Sequence, residues 1–263
     1  MKRLFLTTLF LLLTFPSLRA ECDSTNLTLL NLHGGVGYGL YRDLGASPLT
    51  YRGLQLHPGI SVQWQHSDWR YEAMLLAGGG CYGLKLGIGY IQAYGGNPLL
   101  GFRAWHRLAR ENHLQIWAGG SLDNLVDIRY TPSLGNACAA FGNYARLNLE
   151  GCVEYRLGNW QFHVWLQMGA LSLNFRPGFA YMDNFDQDIS SPSSNTFDQY
   201  RTYPTLATSA TTDFGATLLL PAGNRIGLSY QWSFLTSRTT RSAPHLFQYA
   251  HHALLFCLGF LLN

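Results

Sequence analysis

Residues able to do chemistry are few in this chain, because only 13% of it is Asp, Glu, Lys or Arg. Arg70 and Glu72, Arg103 and Arg107, and Glu150, Glu154 and Arg156 recur at even spacing within their own segments. In an extended chain that spacing puts each group on one face. Trp105, Trp117 and Trp165 share the same kind of face. Carboxylates held beside guanidinium groups and away from water could serve as a general acid or base. The same set also suits a narrow interior that has to be filled, where buried charges persist only when paired. These residues sit within segments rather than gathering at a cleft, which favours the structural account: an interior charge network packed with three indoles.

Other candidate chemistries are weaker. His33, His57 and His163 fall on the same face as the charges, and Ser61 is close to His57 in sequence. No Asn or acid at motif spacing completes a Ser–His pair. Asp183, Asp186 and Asp188 lack the Gly and terminal Glu of an EF-hand loop, so a solvated acidic loop is the better reading. Gly34-Gly35-Val36-Gly37 and Gly78-Gly79-Gly80 precede no helix and are not phosphate cradles; in a strand, Gly permits bending or close packing. Cys22, Cys81, Cys138, Cys152 and Cys257 form an odd set without CxxC spacing, which argues against zinc and leaves any disulfide pairing open. No catalytic residue, cofactor or metal ligand is therefore expected.

The elements that must position these side chains are strands. Period-2 alternation recurs in ten segments: 27–41, 54–65, 69–80, 99–108, 114–122, 146–157, 160–174, 212–220, 225–236 and 247–262. In 54–65, for example, Leu54, Leu56, Ile60, Val62 and Trp64 oppose Gln55, His57, Ser61, Gln63 and Gln65. The connections alternate as well. Short turns at 66–68, 109–113, 158–159 and 221–224 separate longer stretches at 42–53, 81–98, 123–145, 175–211 and 237–246. An up-and-down meander with short turns at one end and long loops at the other follows. Leu84, Leu86, Ile88 and Tyr90 alternate too, so 81–98 would raise the count to twelve strands if it formed a pair of its own.

Residues 1–20 form a secretory signal peptide, with Lys2 and Arg3 ahead of the apolar run Leu4 to Leu13. Ala20 supplies the small residue before the cut, whereas Leu18 two positions earlier is not small, so the cut is fixed only to within a few residues. Cys22 lies just past it, but Glu21 occupies the place where a lipobox has a small residue. Removing Lys2, Arg3 and Arg19 leaves 15 basic against 15 acidic residues, so the mature chain is neutral and no nucleic-acid partner is expected.

The polar face decides what surrounds the apolar one. A soluble barrel would carry Lys and Glu there, but Lys is absent from all ten segments, and Gly, Gln, Ser, His and Trp prevail. Crowded small and amide residues suit a narrow lumen, with the apolar face turned to lipid. Tyr38, Trp64, Trp69, Tyr155 and Trp232, near strand ends on the apolar face, suit interfacial girdles. In these features the chain, from about residue 25 to 263, resembles the small outer-membrane β-barrel proteins of Gram-negative bacteria. It departs at its end, Phe260-Leu261-Leu262-Asn263, where such barrels usually finish on an aromatic residue. The resemblance implies an all-β, antiparallel up-and-down barrel over 21–263, located in the outer membrane, with lipid and a membrane protein as the expected partners. Ten strands leave an interior that side chains can largely fill. The expected role is structural or loop-mediated binding, with a narrow small-solute pore and an outer-membrane lipid hydrolase as rivals.

Overall fold

The structure, a computed structural model, describes residues 26–43, 47–86, 89–130, 139–177, 200–206, 208–238 and 246–262. The expected signal segment 1–20, Cys22, Cys138 and the expected acidic loop with Asp183, Asp186 and Asp188 lie outside the described residues. Among the described residues all regular structure is antiparallel sheet: β1 (Asn26–Asp43), β2 (Ser47–Leu56), β3 (Gly59–His66), β4 (Trp69–Leu86), β5 (Gly89–Glu111), β6 (Leu114–Tyr130), β7 (Ala139–Leu157), β8 (Trp160–Pro177), β9 (Tyr200–Leu206), β10 (Thr208–Leu219), β11 (Arg225–Arg238) and β12 (Leu246–Leu262).

Twelve segments make ten staves. β1 pairs with β3 along its lower half, from Asn26↔His66 to His33↔Gly59, and with β2 above, from Val36↔Leu56 upward. β2 and β3 are one stave interrupted at His57 and Pro58, the latter having no N–H to give to a ladder. The stave stays in register because His57 N donates to the Gly35 carbonyl (2.9 Å) and Ala77 N to the Pro58 carbonyl (2.8 Å). β9 and β10 share β8 in the same way. β12 closes on β1 over sixteen paired positions, from Thr28↔Leu262 to Asp43↔Phe247, so the ring has no free edge through β10.

The segment 81–98 adds no stave. Its residues continue β4 and β5, which pair from Trp69↔His106 up to Leu86↔Gly89. Similarly, most of 42–53 and 123–145 is strand rather than loop, in β2, β6 and β7. Alternation fades there, but the backbone ladder continues regardless of side chain. Strands of 17 to 23 residues such as β5 and β6 exceed the roughly 9–11 needed to cross a bilayer. The barrel therefore extends well beyond the lipid on the side away from the tight turns. Those turns use positive φ at Ser67 (55°), Asn112 (45°), Gly158 (58°) and Gly223 (80°), as tight hairpin connections require.

Alternation fixes the faces. Outside lie large apolar residues with little cover, among them Leu54 (73% exposed), Leu100 (63%) and Leu149 (65%). Inside lie Asn31, Ser61, Ser121, Asn148, Glu150, Glu154 and Gln167, all buried. This inverted distribution belongs to a barrel whose solvent is hydrocarbon.

Candidate functional site

The lumen is filled in two decks. In the lower deck, Arg70 of β4 reaches across the barrel to Glu154 of β7, donating from both terminal nitrogens at 2.6 and 2.9 Å. Trp117 Nε1 donates to the same carboxylate at 3.0 Å, and the Arg70 guanidinium lies 4.0 Å from the Trp117 ring centroid. Arg103 sits between two acids, with Glu72 at 3.3 Å and Glu150 at 3.4 Å, and stacks 4.3 Å from the Trp165 ring. Glu150 also accepts from Trp165 Nε1 and Gln167 Nε2, both at 3.2 Å. Trp105, Trp117, Trp165 and Cys152 pack together as one buried cluster. Bidentate pairing and ring stacking are the arrangements that offset the desolvation of an arginine.

Strand register brings these groups together. Glu72 opposes Arg103 directly, and Arg70, Trp105, Gly119, Glu150 and Gln167 follow one another across five strands. Gly119 leaves room for the crowding: a Cβ there would stand 2.0 Å from the Ala104 carbonyl oxygen.

Two members of the expected charge network do not join it. Arg107 donates from Nε to Asp68 in the β3–β4 turn (2.9 Å), although its guanidinium also leans over Trp117 at 5.4 Å. Arg156 is exposed and donates to the Gly158 carbonyl at 3.2 Å. Both stand close to the tight turns: Arg156 reaches out to water there, whereas the Arg107 side chain stays only 14% exposed and turns to the half-exposed Asp68. Asp123, which the sequence reading did not single out, does belong inside: it accepts from Arg146 (2.6 Å) and Asn148 (2.9 Å).

The histidines separate as well. Ser61 meets His33 (3.0 Å) and donates to Glu72 (2.7 Å), while His57 stacks on His251 with centroids 5.2 Å apart. Ser61 gives its O–H to Glu72 and has only 2% of its surface exposed. His163 and Ser229 both bond Asp213, at 2.7 and 2.9 Å. A cavity of about 250 Å³ remains among His33, Arg70, Glu72, Arg103, His163 and Asp213. Cys81, Cys152 and Cys257 are free thiols.

The upper deck is of another kind. Tyr41, Tyr51, Tyr82, Tyr144, Phe247, Tyr249, Leu125 and Leu235 form a single buried cluster across the lumen. Tyr41 stacks on Tyr51 and meets Tyr82 edge-on, each at 4.9 Å, and Tyr144 stacks on Phe247 at 5.3 Å. Gln55 Nε2 donates to the hydroxyls of Tyr249 (3.0 Å) and Tyr82. Arg129, paired with Asp127 at 2.7 Å, lies over both Tyr41 (5.1 Å) and Phe247 (5.0 Å). Sequence reasoning missed this deck, because much of it lies in stretches that read as loops. The available signal was an aromatic on polar-face parity, as at Tyr41, Phe247 and Tyr249.

No protein-family model matches the chain, and no curated protein sequence does. Among solved structures it is similar to the outer-membrane protease OmpT of Escherichia coli, at 8% identity and a TM-score of 0.54, covering 95% of this chain and 99% of that one. Weaker likenesses include the translocator domain of the autotransporter NalP from Neisseria meningitidis (11% identity, TM-score 0.44, covering 90% and 89%). Another is the Neisserial surface protein A (9%, 0.35, 90% and 98%). The closed ring, the polar lumen and the OmpT-like architecture give this chain the fold of a Gram-negative outer-membrane β-barrel, and its apolar exterior suits it to that membrane.

Proposed function

We propose that the protein is a plugged outer-membrane barrel, closed to free solute flow, that acts through its surface-exposed end as a binding or partner protein rather than as a pore or an enzyme. The observation that carries this reading is the upper deck. Six aromatic rings, with Tyr144 and Phe247 at 0% exposure and Tyr51 and Tyr82 at 1%, cross the lumen in mutual contact. Stacked rings buried to this degree oppose a continuous water path, and a barrel of ten staves has little width to spare. The extension of the strands beyond the lipid supports a role at the far end, where the longer connections gather.

Planar-bilayer recording tests the proposal. The wild-type barrel should show little or no steady conductance, and replacing Tyr41, Tyr82 and Phe247 together by Ala should produce steady open steps. Large, long-lived steps in the wild type would replace this reading with the pore.

A further inference from the structure

The barrel exterior carries a groove of about 840 Å³ that crosses β4 to β9. Its lower wall is one cross-strand row, Ala73, Phe102, Leu122, Leu147 and Leu171, in successive register. The row above runs Leu100, Asn124, Ala145, Leu173 and Pro204. At its centre, Asn124 and Ala145 interrupt a surface built mostly of Leu and Phe, and their smaller size forms the depression between Leu100 and Leu173.

Asn124 is out of place there. Its neighbours are apolar, and its Oδ1 is buried and accepts no hydrogen bond from the protein. Asn143, two positions above Ala145 on β7 and on the same outward face, has an equally buried, partnerless Oδ1. A desolvated acceptor without a donor is destabilising, and a donor from outside the protein would offset that cost. Asn124 stands ten residues above Leu114 at the foot of β6. At about 2.5 Å of height per residue in a strand tilted by roughly 40°, that is about 25 Å above the turns. This is the far edge of an apolar band about 25 Å tall, where acyl chains meet their headgroups. From Asn124 on β6 to Ala73 on β4 the groove spans two strand spacings, about 10 Å across the strands on a slant, which takes the upper part of one acyl chain.

We infer that this groove holds one acyl chain of an outer-leaflet lipid that carries an amide N–H or hydroxyl near its head. The donor meets Asn124, with Asn143 beside it, and the chain descends past Leu122 and Phe102 toward Ala73. Complementary polarity selects this occupant: the groove is apolar along its length, with unpaired acceptors only at headgroup height.

Native mass spectrometry of the detergent-solubilised barrel tests it, with lipid A, whose chains are amide-linked and hydroxylated, against dioleoyl-phosphatidylglycerol, which offers neither group on its chains. Wild type should retain lipid A about three- to tenfold better, the worth of one hydrogen bond. Asn124→Leu should bring the ratio below about twofold while still retaining a lipid, because only the hydrogen bond is lost. Ala145→Trp, which fills the depression, should lower retention of both lipids about tenfold through lost apolar contact. Leu254→Trp, on the exterior of β12, should change nothing. Equal retention of the two lipids by wild type, an unaffected Ala145→Trp variant that migrates as a folded barrel, or an equal loss in Leu254→Trp would each overturn the inference. Failure of Ala145→Trp to fold leaves the Asn124→Leu ratio to decide it.

Discussion

The two decks bury side chains equally well by opposite chemistry, and the difference follows from what lies outside the wall at each height. In the lower deck the exterior is lipid-facing Leu, Val and Phe, and the interior is a lattice of Arg, Glu, Gln and Ser around three indoles. In the upper deck the interior is mainly Tyr, Phe and Leu, around a single Arg129–Asp127 pair and Gln55. There, on the β12–β1–β2 side, the outward row is Gln248, Arg42 and Thr50, with Gln248 and Thr50 exposed. Tyr41 stands fifteen residues above Asn26, at about 37 Å with the same rise per residue, well beyond an apolar band about 25 Å tall. Above the lipid the wall has water outside, so it packs an apolar core as a soluble protein does. Within the lipid the apolar surface is used outside, and the interior is satisfied by pairing instead.

The contrast predicts how each deck breaks. The largest effect belongs to the lower deck, where removing one charge strands its partner. Glu154→Ala leaves Arg70 without either of its hydrogen-bond acceptors and should cost about 3–5 kcal/mol, less where the lower cavity admits water. Replacing both members, Arg70→Met with Glu154→Leu, should cost less than the single change, because no buried charge is left over. Urea unfolding of the lipid-reconstituted barrel measures both variants. A double variant as unstable as the sum of the two singles would mean that the pair is not coupled.

In the upper deck the loss should scale with area and void instead. Phe247→Ala removes a fully buried ring from its stack with Tyr144 and should also cost about 3–5 kcal/mol. Phe247→Leu, which keeps most of the volume, should recover much of that loss, whereas Glu154→Leu alone should recover little of the loss in Glu154→Ala. Rescue by an apolar side chain in one deck and not in the other is the sharpest form of the comparison, and the same unfolding assay reads it.

How much of this was legible beforehand depended on the same inversion. The ten staves could be read because, within the lipid, each has one apolar and one polar face, and Leu54-Gln55-Leu56 states that pattern plainly. The inward set Arg70, Glu72, Arg103, Glu150 and Glu154 followed from parity alone. Above the lipid the contrast between faces weakens, so Thr50-Tyr51-Arg52 and Asp127-Ile128-Arg129 read as irregular loop although they are strand. Parity also says nothing of height, which is why Arg156 looked interior and why Arg107, though largely buried, pairs with a turn residue instead of the deck's acids. Which partner each group finds across the lumen is set by the closure of the ring and the stagger of its strands. Ser61 therefore lies against His33 on the neighbouring stave rather than His57 four residues away.

The rim arginines set the smallest effect and fix where the lower deck stops. Arg156 is exposed and its guanidinium donates to a turn carbonyl, so Arg156→Ala should change stability by no more than about 0.5 kcal/mol. Arg107 pairs with Asp68, whose side chain is half exposed, and Arg107→Ala should cost under about 1 kcal/mol, part of it from the contact with Trp117. The informative measurement is the cycle with Glu154→Ala. Arg156 shares no partner with Glu154, so the two losses should add within about 0.5 kcal/mol. Arg107 touches Trp117, whose indole N–H donates to Glu154, so this pair should show a small coupling. Strong coupling between Arg156 and Glu154 would extend the ion-paired deck down to the turns, and the boundary drawn here between a dry network and a solvated rim would then be misplaced.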